Sequence, residues 1–109
     1  MLETEGDREA RQRIEQARRE GARGLDLSYM ELTELPEVIA SLTELETLDL
    51  SENQLRELPE ALASLTQLQG LYLDNNQLTQ LPEVIASLTQ LQQLDLSHNK
   101  LTVLPEAAT

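Results

Sequence analysis

Few side chains in this sequence have the chemistry to make or break a bond, and they do not assemble into a mechanism. Cysteine is absent, so a thiolate nucleophile, a thiolate metal site and a disulfide are all excluded. The single histidine, His98, has no cysteine or second histidine at ligand spacing, which argues against zinc. Serines recur at regular positions, and with one imidazole a nucleophile and a general base cannot both be assigned. Gly6, Gly21, Gly24 and Gly70 are too scattered to form a phosphate-cradling loop. No catalytic, cofactor-binding or metal-ligating residue is therefore expected. What remains is a polar set suited to recognition: Asp26, Thr47, Asp49, Glu52, Tyr72, Asp74, Gln93, Asp95 and His98.

These residues fall into columns because the chain writes one 23-residue unit repeatedly. Shifting Leu45, Leu48, Leu50, Asn53, Leu55, Leu58 and Pro59 by that period gives Leu68, Leu71, Leu73, Asn76, Leu78, Leu81 and Pro82. A second shift gives Leu91, Leu94, Leu96, Asn99, Leu101, Leu104 and Pro105. Backwards the match is looser, with Leu25, Leu27, Leu32, Leu35 and Pro36 in register, Ala22 for the first Leu and Met30 for Asn. The copies run 22–44, 45–67, 68–90 and 91–109, the last cut short, behind a segment 1–21 of different composition.

The pattern L-x-x-L-x-L-x-x-N-x-L resembles the leucine-rich repeat, whose period range includes this one. The resemblance covers residues 22 to 109 and implies an α/β solenoid: parallel strands on a concave face, short helical returns on the convex face. Leu-Pro after the Asn turn looks like the subtype found in cytoplasmic signalling scaffolds. The segment R-R-E-G-A-R-G-L-D-L, residues 18–27, is similar to the entry into the repeat domains of Roco-type proteins and their bacterial relatives. Protein interaction and a cytoplasmic setting are what the resemblance implies.

The elements that must position the polar columns are legible from periodicity. Alternation in L-x-L predicts a short strand with leucines inward and the intervening residues outward. The first outward column is Gly24, Thr47, Gly70 and Gln93; the second is Asp26, Asp49, Tyr72 and Asp95; the third is Ser28, Ser51, Asp74 and Ser97. Tyr29, Glu52, Asn75 and His98 follow at the rim. Asn53, Asn76 and Asn99 are placed to bond backbone at the turn, and Met30 cannot, so the first layer is expected to be irregular. Leu-Pro-Glu starts each helical return, with Ile39, Leu62, Ile85, Leu42, Leu65 and Leu88 expected inward. Ahead of the repeats, residues 1–6 read as disordered and Asp7 to Glu20 as a helix, with Asp7 as N-cap and Gly21 at a left-handed exit. Its narrow stripe of Ala10, Ile14 and Ala17 must lie against something, and the open edge of the first repeat is the obvious target. Glu9 with Arg13 and Glu15 with Arg19 are spaced to pair across one turn.

Charge narrows the partner. The net charge of −12 lies wholly in the repeats, because residues 1–23 hold six acids and six bases while the repeats hold fourteen acids against Arg56 and Lys100. Such a surface repels phosphate backbones and anionic lipid, so neither nucleic acid nor membrane is expected as a partner. Stacking Asp26 over Asp49 costs electrostatic energy unless a cation lies near, and Tyr72 is the large amphipathic residue at mid-face where anchors fall. Calcium is disfavoured, since adjacent strands supply too few oxygens. The expected function is a protein-interaction module for a basic or polar partner, and the sequence supports no enzyme activity of its own. Two alternatives stand beside it. In one, Leu94, Leu96, Leu101 and Leu104 form an uncapped edge that pairs two chains or is covered by continuing sequence; in the other, the segment regulates an enzyme encoded outside it.

Overall fold

The computed structural model describes residues 3–102. In each copy the L-x-L alternation makes a three-residue strand: β1 Gly24–Asp26, β2 Thr47–Asp49, β3 Gly70–Tyr72 and β4 Gln93–Asp95. Identical positions lie side by side, so the strands pair in parallel in chain order, with Leu25, Leu48, Leu71 and Leu94 in one row. Leu48 and Leu71 are completely buried while Thr47 between the leucines is exposed, as a two-residue period requires.

The returns are 3₁₀ helices, Glu37–Ser41, Glu60–Ser64 and Glu83–Ser87. Pro36, Pro59 and Pro82 precede them in extended backbone, where the ring presets φ, and a glutamate opens each first turn. Ile39, Leu42, Leu62, Leu65 and Leu88 point inward as expected. The third return departs from that pattern: Val84 is buried and Ile85 only half-buried, whereas the equivalent Val38 is exposed and Ile39 fully buried. Ile85 still packs against the aliphatic core, as expected of an inward residue, but is covered less completely than Ile39. The backbone of this return matches that of the first, so the difference lies in the neighbours: Ile85 has a complete layer on one side only among the described residues, and Val84 lines a cleft with Leu58 and Pro82.

Asparagine binds each layer to the one before. The Asn53 side-chain oxygen accepts from the Met30 and Leu32 N–H groups at 3.1 and 3.0 Å, and its amide donates to the Leu27 and Leu50 carbonyls at 2.9 and 3.0 Å. Asn76 accepts from Leu55 N–H and donates to Leu50 and Leu73; Asn99 accepts from Leu78 N–H and donates to Leu73 and Leu96. Buried amides with every group bonded can stabilise a layer, whereas an orphaned one would cost more than the bond itself contributes. At Met30 the first layer is irregular. Glu31 adopts φ 55, a left-handed conformation absent from the equivalent Gln54, Gln77 and Lys100.

Helix α1, Glu5–Glu20, begins earlier than the sequence suggested. Thr4, not Asp7, is the N-cap: its hydroxyl accepts from Asp7 N–H at 3.0 Å and the Asp7 carboxylate accepts from Thr4 N–H at 3.3 Å. Residues 5 and 6 are therefore helical rather than disordered. Gly6 fits because its backbone lies against the Met30 carbonyl, where a Cβ would come within 1.8 Å of the oxygen. Gly21 ends the helix at φ 60 and its N–H donates to the Ala17 and Arg18 carbonyls, the left-handed exit expected there. Ala10, Ile14 and Ala17 are buried in the same aliphatic cluster as Leu27, Leu32 and Ile39, so α1 covers the first layer.

Candidate functional site

The outward residues of the four strands share one face, and their positions follow from strand register alone. Thr47 lies between Gly24 and Gly70, and Gly70 lies beside Gln93. In the next row Asp49 stands beside Asp26 on one side and Tyr72 on the other, with Asp95 beyond Tyr72. Neighbours across the strands are about 4.8 Å apart. Asp26, Asp49, Tyr72 and Asp95 thus form one continuous row.

The aspartates also serve their own turns. Asp26 Oδ1 accepts from the Ser28 N–H at 2.8 Å and the Ser28 hydroxyl at 2.6 Å. Asp49 does the same with Ser51 and Asp95 with Ser97. These bonds favour the ionised form: the Ser28 hydroxyl, then its N–H and more weakly Arg13, hold the Asp26 carboxyl below its ordinary range. The Ser97 hydroxyl and N–H, with the His98 charge, do so for Asp95. Hydroxyl and amide donors thus stabilise the carboxylates of Asp26 and Asp95.

The third repeat breaks the Asp-x-Ser rule. Tyr72 replaces the aspartate and Asp74 the serine, so the hydroxyl-carboxylate pair is lost at mid-face. Tyr72 instead donates its hydroxyl to Gln93 Oε1 at 2.5 Å, and its ring edge passes over Gly70. A Cβ at position 70 would meet the Tyr72 hydroxyl at 3.1 Å, so the ring edge lies in close contact with this glycine. Asp74, half-buried, accepts from the Asn75 amide at 3.2 Å. Tyr72 is consequently a held aromatic surface with Asp49 and Asp95 on its flanks and Asp74 two residues further along its own chain.

The rim residues carry a signal that sequence reasoning missed. Tyr29, Glu52, Asn75 and His98 all have φ between 56 and 58, left-handed for residues other than glycine. That turn aims three of their N–H groups at the next repeat: Tyr29 donates to the Ser51 carbonyl, Glu52 to that of Asp74 and Asn75 to that of Ser97, at 3.2, 3.0 and 3.0 Å. Asn75, a residue tolerant of that conformation, was the available clue. Tyr29 is three-quarters exposed, standing off the row's N-terminal end. His98 and Thr47 are exposed and Glu52 half-buried.

At the last strand, Leu94 is 37% exposed and Leu91, Leu96 and Leu101 are half-buried. Leu104 lies outside the described residues. Among the described residues no group of three histidine, cysteine or acidic side chains could hold a metal ion, and no helix is long and apolar enough to cross a membrane.

Comparison with known proteins gives this architecture its family. Residues 22–106 match the family model described as leucine-rich repeat region. No curated protein sequence matches the chain. Among solved structures, the leucine-rich repeat domain of the type III effector XopL is 30% identical with a TM-score of 0.81, covering 97% of this chain and 37% of that one. An internalin, InlF of Listeria monocytogenes, is 26% identical with a TM-score of 0.56 over 63% of this chain and 20% of its own. A Shigella effector leucine-rich repeat domain shares the fold at 23% identity and a TM-score of 0.63, covering 97% of this chain and 54% of that one. The chain thus spans little more than a third of the XopL domain and about half of the Shigella one. With four in-register strands, the Asn ladder and a family match over nearly all the repeats, the chain belongs to the leucine-rich repeat family.

Proposed function

We propose that this chain is a protein-interaction module whose outer strand face receives a basic or polar segment of a partner, with Tyr72 as the anchor. The observation that carries the reading is the break in the third repeat. Where the other copies pair Asp with Ser, this one presents an aromatic ring fixed over Gly70 by Gln93 and flanked by Asp49 and Asp95. A cationic side chain seated there gains ring-face attraction and carboxylate hydrogen bonds together. Asp26, Thr47, Glu52, Asp74, Gln93, Asp95 and His98 supply the surrounding polar contacts. Short strands in a bonded sheet hold these groups in place, so little side-chain entropy is lost on docking. Kinship with effector repeat domains supports an interaction role, and no catalytic step is assigned to these residues.

The face is small against the roughly 20–30 residues a side of a standard interface, so affinity by itself is expected to be modest. Fluorescence anisotropy with labelled Arg/Lys-rich, neutral and acidic peptides tests the reading. Binding should favour the basic peptide, weaken with salt, and fall about tenfold or more in Tyr72→Ala, a loss of about 1.4 kcal/mol. Equal binding by Tyr72→Ala and Asp49→Asn, or no preference for the basic peptide, would reject it.

A further inference from the structure

The carboxylates of the outward row are unequally spaced. Asp26 and Asp49 are direct neighbours, one strand step of about 4.8 Å apart, whereas Asp49 and Asp95 have β3 between them and lie about 9.6 Å apart. Tyr72 fills the wider interval. Its ring edge reaches back along β3, so that the hydroxyl and Cε2 lie 3.1 and 3.5 Å from where a Gly70 Cβ would stand. Thr47 brings its methyl group within 3.5 Å of the same point from β2, and Gln93 takes the hydroxyl hydrogen from β4. The ring is held from both neighbouring strands.

What the groups around the ring have left to offer is acceptor capacity. Both Ser51 donors converge on Asp49 Oδ1 and both Ser97 donors on Asp95 Oδ1, so Oδ2 of each carboxylate accepts no bond among the described residues. The Tyr72 proton is committed to Gln93 Oε1 and serves neither carboxylate. One open carboxylate oxygen therefore stands on each side of a fixed aromatic ring.

The chain keeps its own bases away from this interval. At the first strand Arg13 Nη1 donates to the Asp26 carbonyl at 3.0 Å, so a guanidinium already stands at that end of the row. The bases after residue 23, Arg56 and Lys100, follow the turn residues Asn53 and Asn99, and among the described residues neither Asp49 nor Asp95 joins an ion pair. Cations differ in how they fit such a gap. An ammonium nitrogen with N–H···O bonds of about 2.8 Å can join two oxygens no more than about 5.6 Å apart, which suits the single step from Asp26 to Asp49. A guanidinium carries its donors on the outer edges of a planar fork, spreads farther, and stacks on an aromatic ring.

We infer that the interval between Asp49 and Asp95 is an arginine-selective subsite: a partner's guanidinium stacks on the Tyr72 ring and donates to Asp49 Oδ2 from one edge and to Asp95 Oδ2 from the other. This rests on the strand face being the recognition surface, and adds which basic side chain it selects. A lysine reaches the ring or one carboxylate but not all three groups together. Tyr72 and Asp74 in place of the Asp-x-Ser pair create the site. With aspartate at 72 the row would be four carboxylates at equal steps, a surface for any cation.

Fluorescence anisotropy with two labelled peptides of equal length and charge, one basic through arginine alone and the other through lysine alone, tests this. The arginine peptide should bind the unaltered chain about fivefold more tightly or better. Tyr72→Asp combined with Asp74→Ser restores the repeat pattern at unchanged net charge, and should make the two affinities equal. A second arm uses two isosteric variants that remove the same charge. Asp95→Asn should lower the ratio of the two affinities, whereas Asp26→Asn should weaken both peptides alike and leave the ratio where it was, with far-ultraviolet circular dichroism confirming the fold of each variant. Equal affinities for the unaltered chain, a preference that survives Tyr72→Asp with Asp74→Ser, or the same change of ratio in Asp95→Asn and Asp26→Asn would overturn the subsite while leaving the face as a binder of basic segments. Binding of neither basic peptide would overturn both.

Discussion

At the first joint the aliphatic layer under β1 meets Ala10, Ile14 and Ala17 of a 16-residue helix, whereas the layer under β4 meets no further element among the described residues. The same leucine has different worth at the two ends. A side chain between two layers loses all its apolar surface to neighbours; one at an uncovered end loses part of it, and its backbone bonds stop with it. Stability in such a stack is set joint by joint. The capped end should hold more of it per residue than the open one.

The largest test of that contrast compares Ile14→Ala with Leu94→Ala. Ile14 is 2% exposed, so truncation should cost about 3 kcal/mol by denaturant unfolding, while partly uncovered Leu94 should cost about 1 kcal/mol or less. Equal losses would break the comparison. Next, Asn53→Ala should cost about 2 kcal/mol because it strands the Met30 and Leu32 N–H groups together with the Leu27 carbonyl, and Asn99→Ala at the half-buried end should cost about half as much. Gly6→Ala sharpens the same point from the cap. An added Cβ meets a backbone oxygen that cannot swing aside, so about 1–2 kcal/mol should be lost despite alanine's better helix propensity.

The smallest effect is a pH response confined to the helix. Hydrogen bonding from Arg18, with Arg19 assisting, lowers the Glu15 carboxyl from its ordinary 4.5 to about 2. A carboxyl depressed on folding contributes stability that is complete above about pH 4.5 and disappears as the pH falls through about 2. The pair is exposed, so the change should be slight and Glu15→Gln should remove it from a helicity titration over that window. A response as large in Glu15→Gln as in the parent chain would place its origin elsewhere.

Period, strand positions and the Asn ladder were readable because each is enforced at four or three copies, so local ambiguity averages out. What escaped lies where copies differ or where the reason is tertiary. Asp7 fits a cap by residue type, but it is the third residue of the helix and Thr4 is the cap. Gly6 is there for its approach to Met30, which no local rule contains. Ile85 follows the repeat in sequence, yet its surroundings do not repeat at that end. The recognition row was legible as columns, since parallel pairing keeps register, but the serine partners of Asp26, Asp49 and Asp95 were not. They turn the Asp-x-Ser copies into the background against which Tyr72-x-Asp74 stands out.

The guanidinium of Arg13 on the Asp26 carbonyl gives the molecule a fixed origin. Every joint after it uses the same rung spacing and the same donors, so a duplicate of residues 45–67 inserted between existing copies would meet surfaces closely matching those it left. Length can then be altered in whole rungs without redesigning the start, and each added rung would widen the platform offered to a partner by one more row.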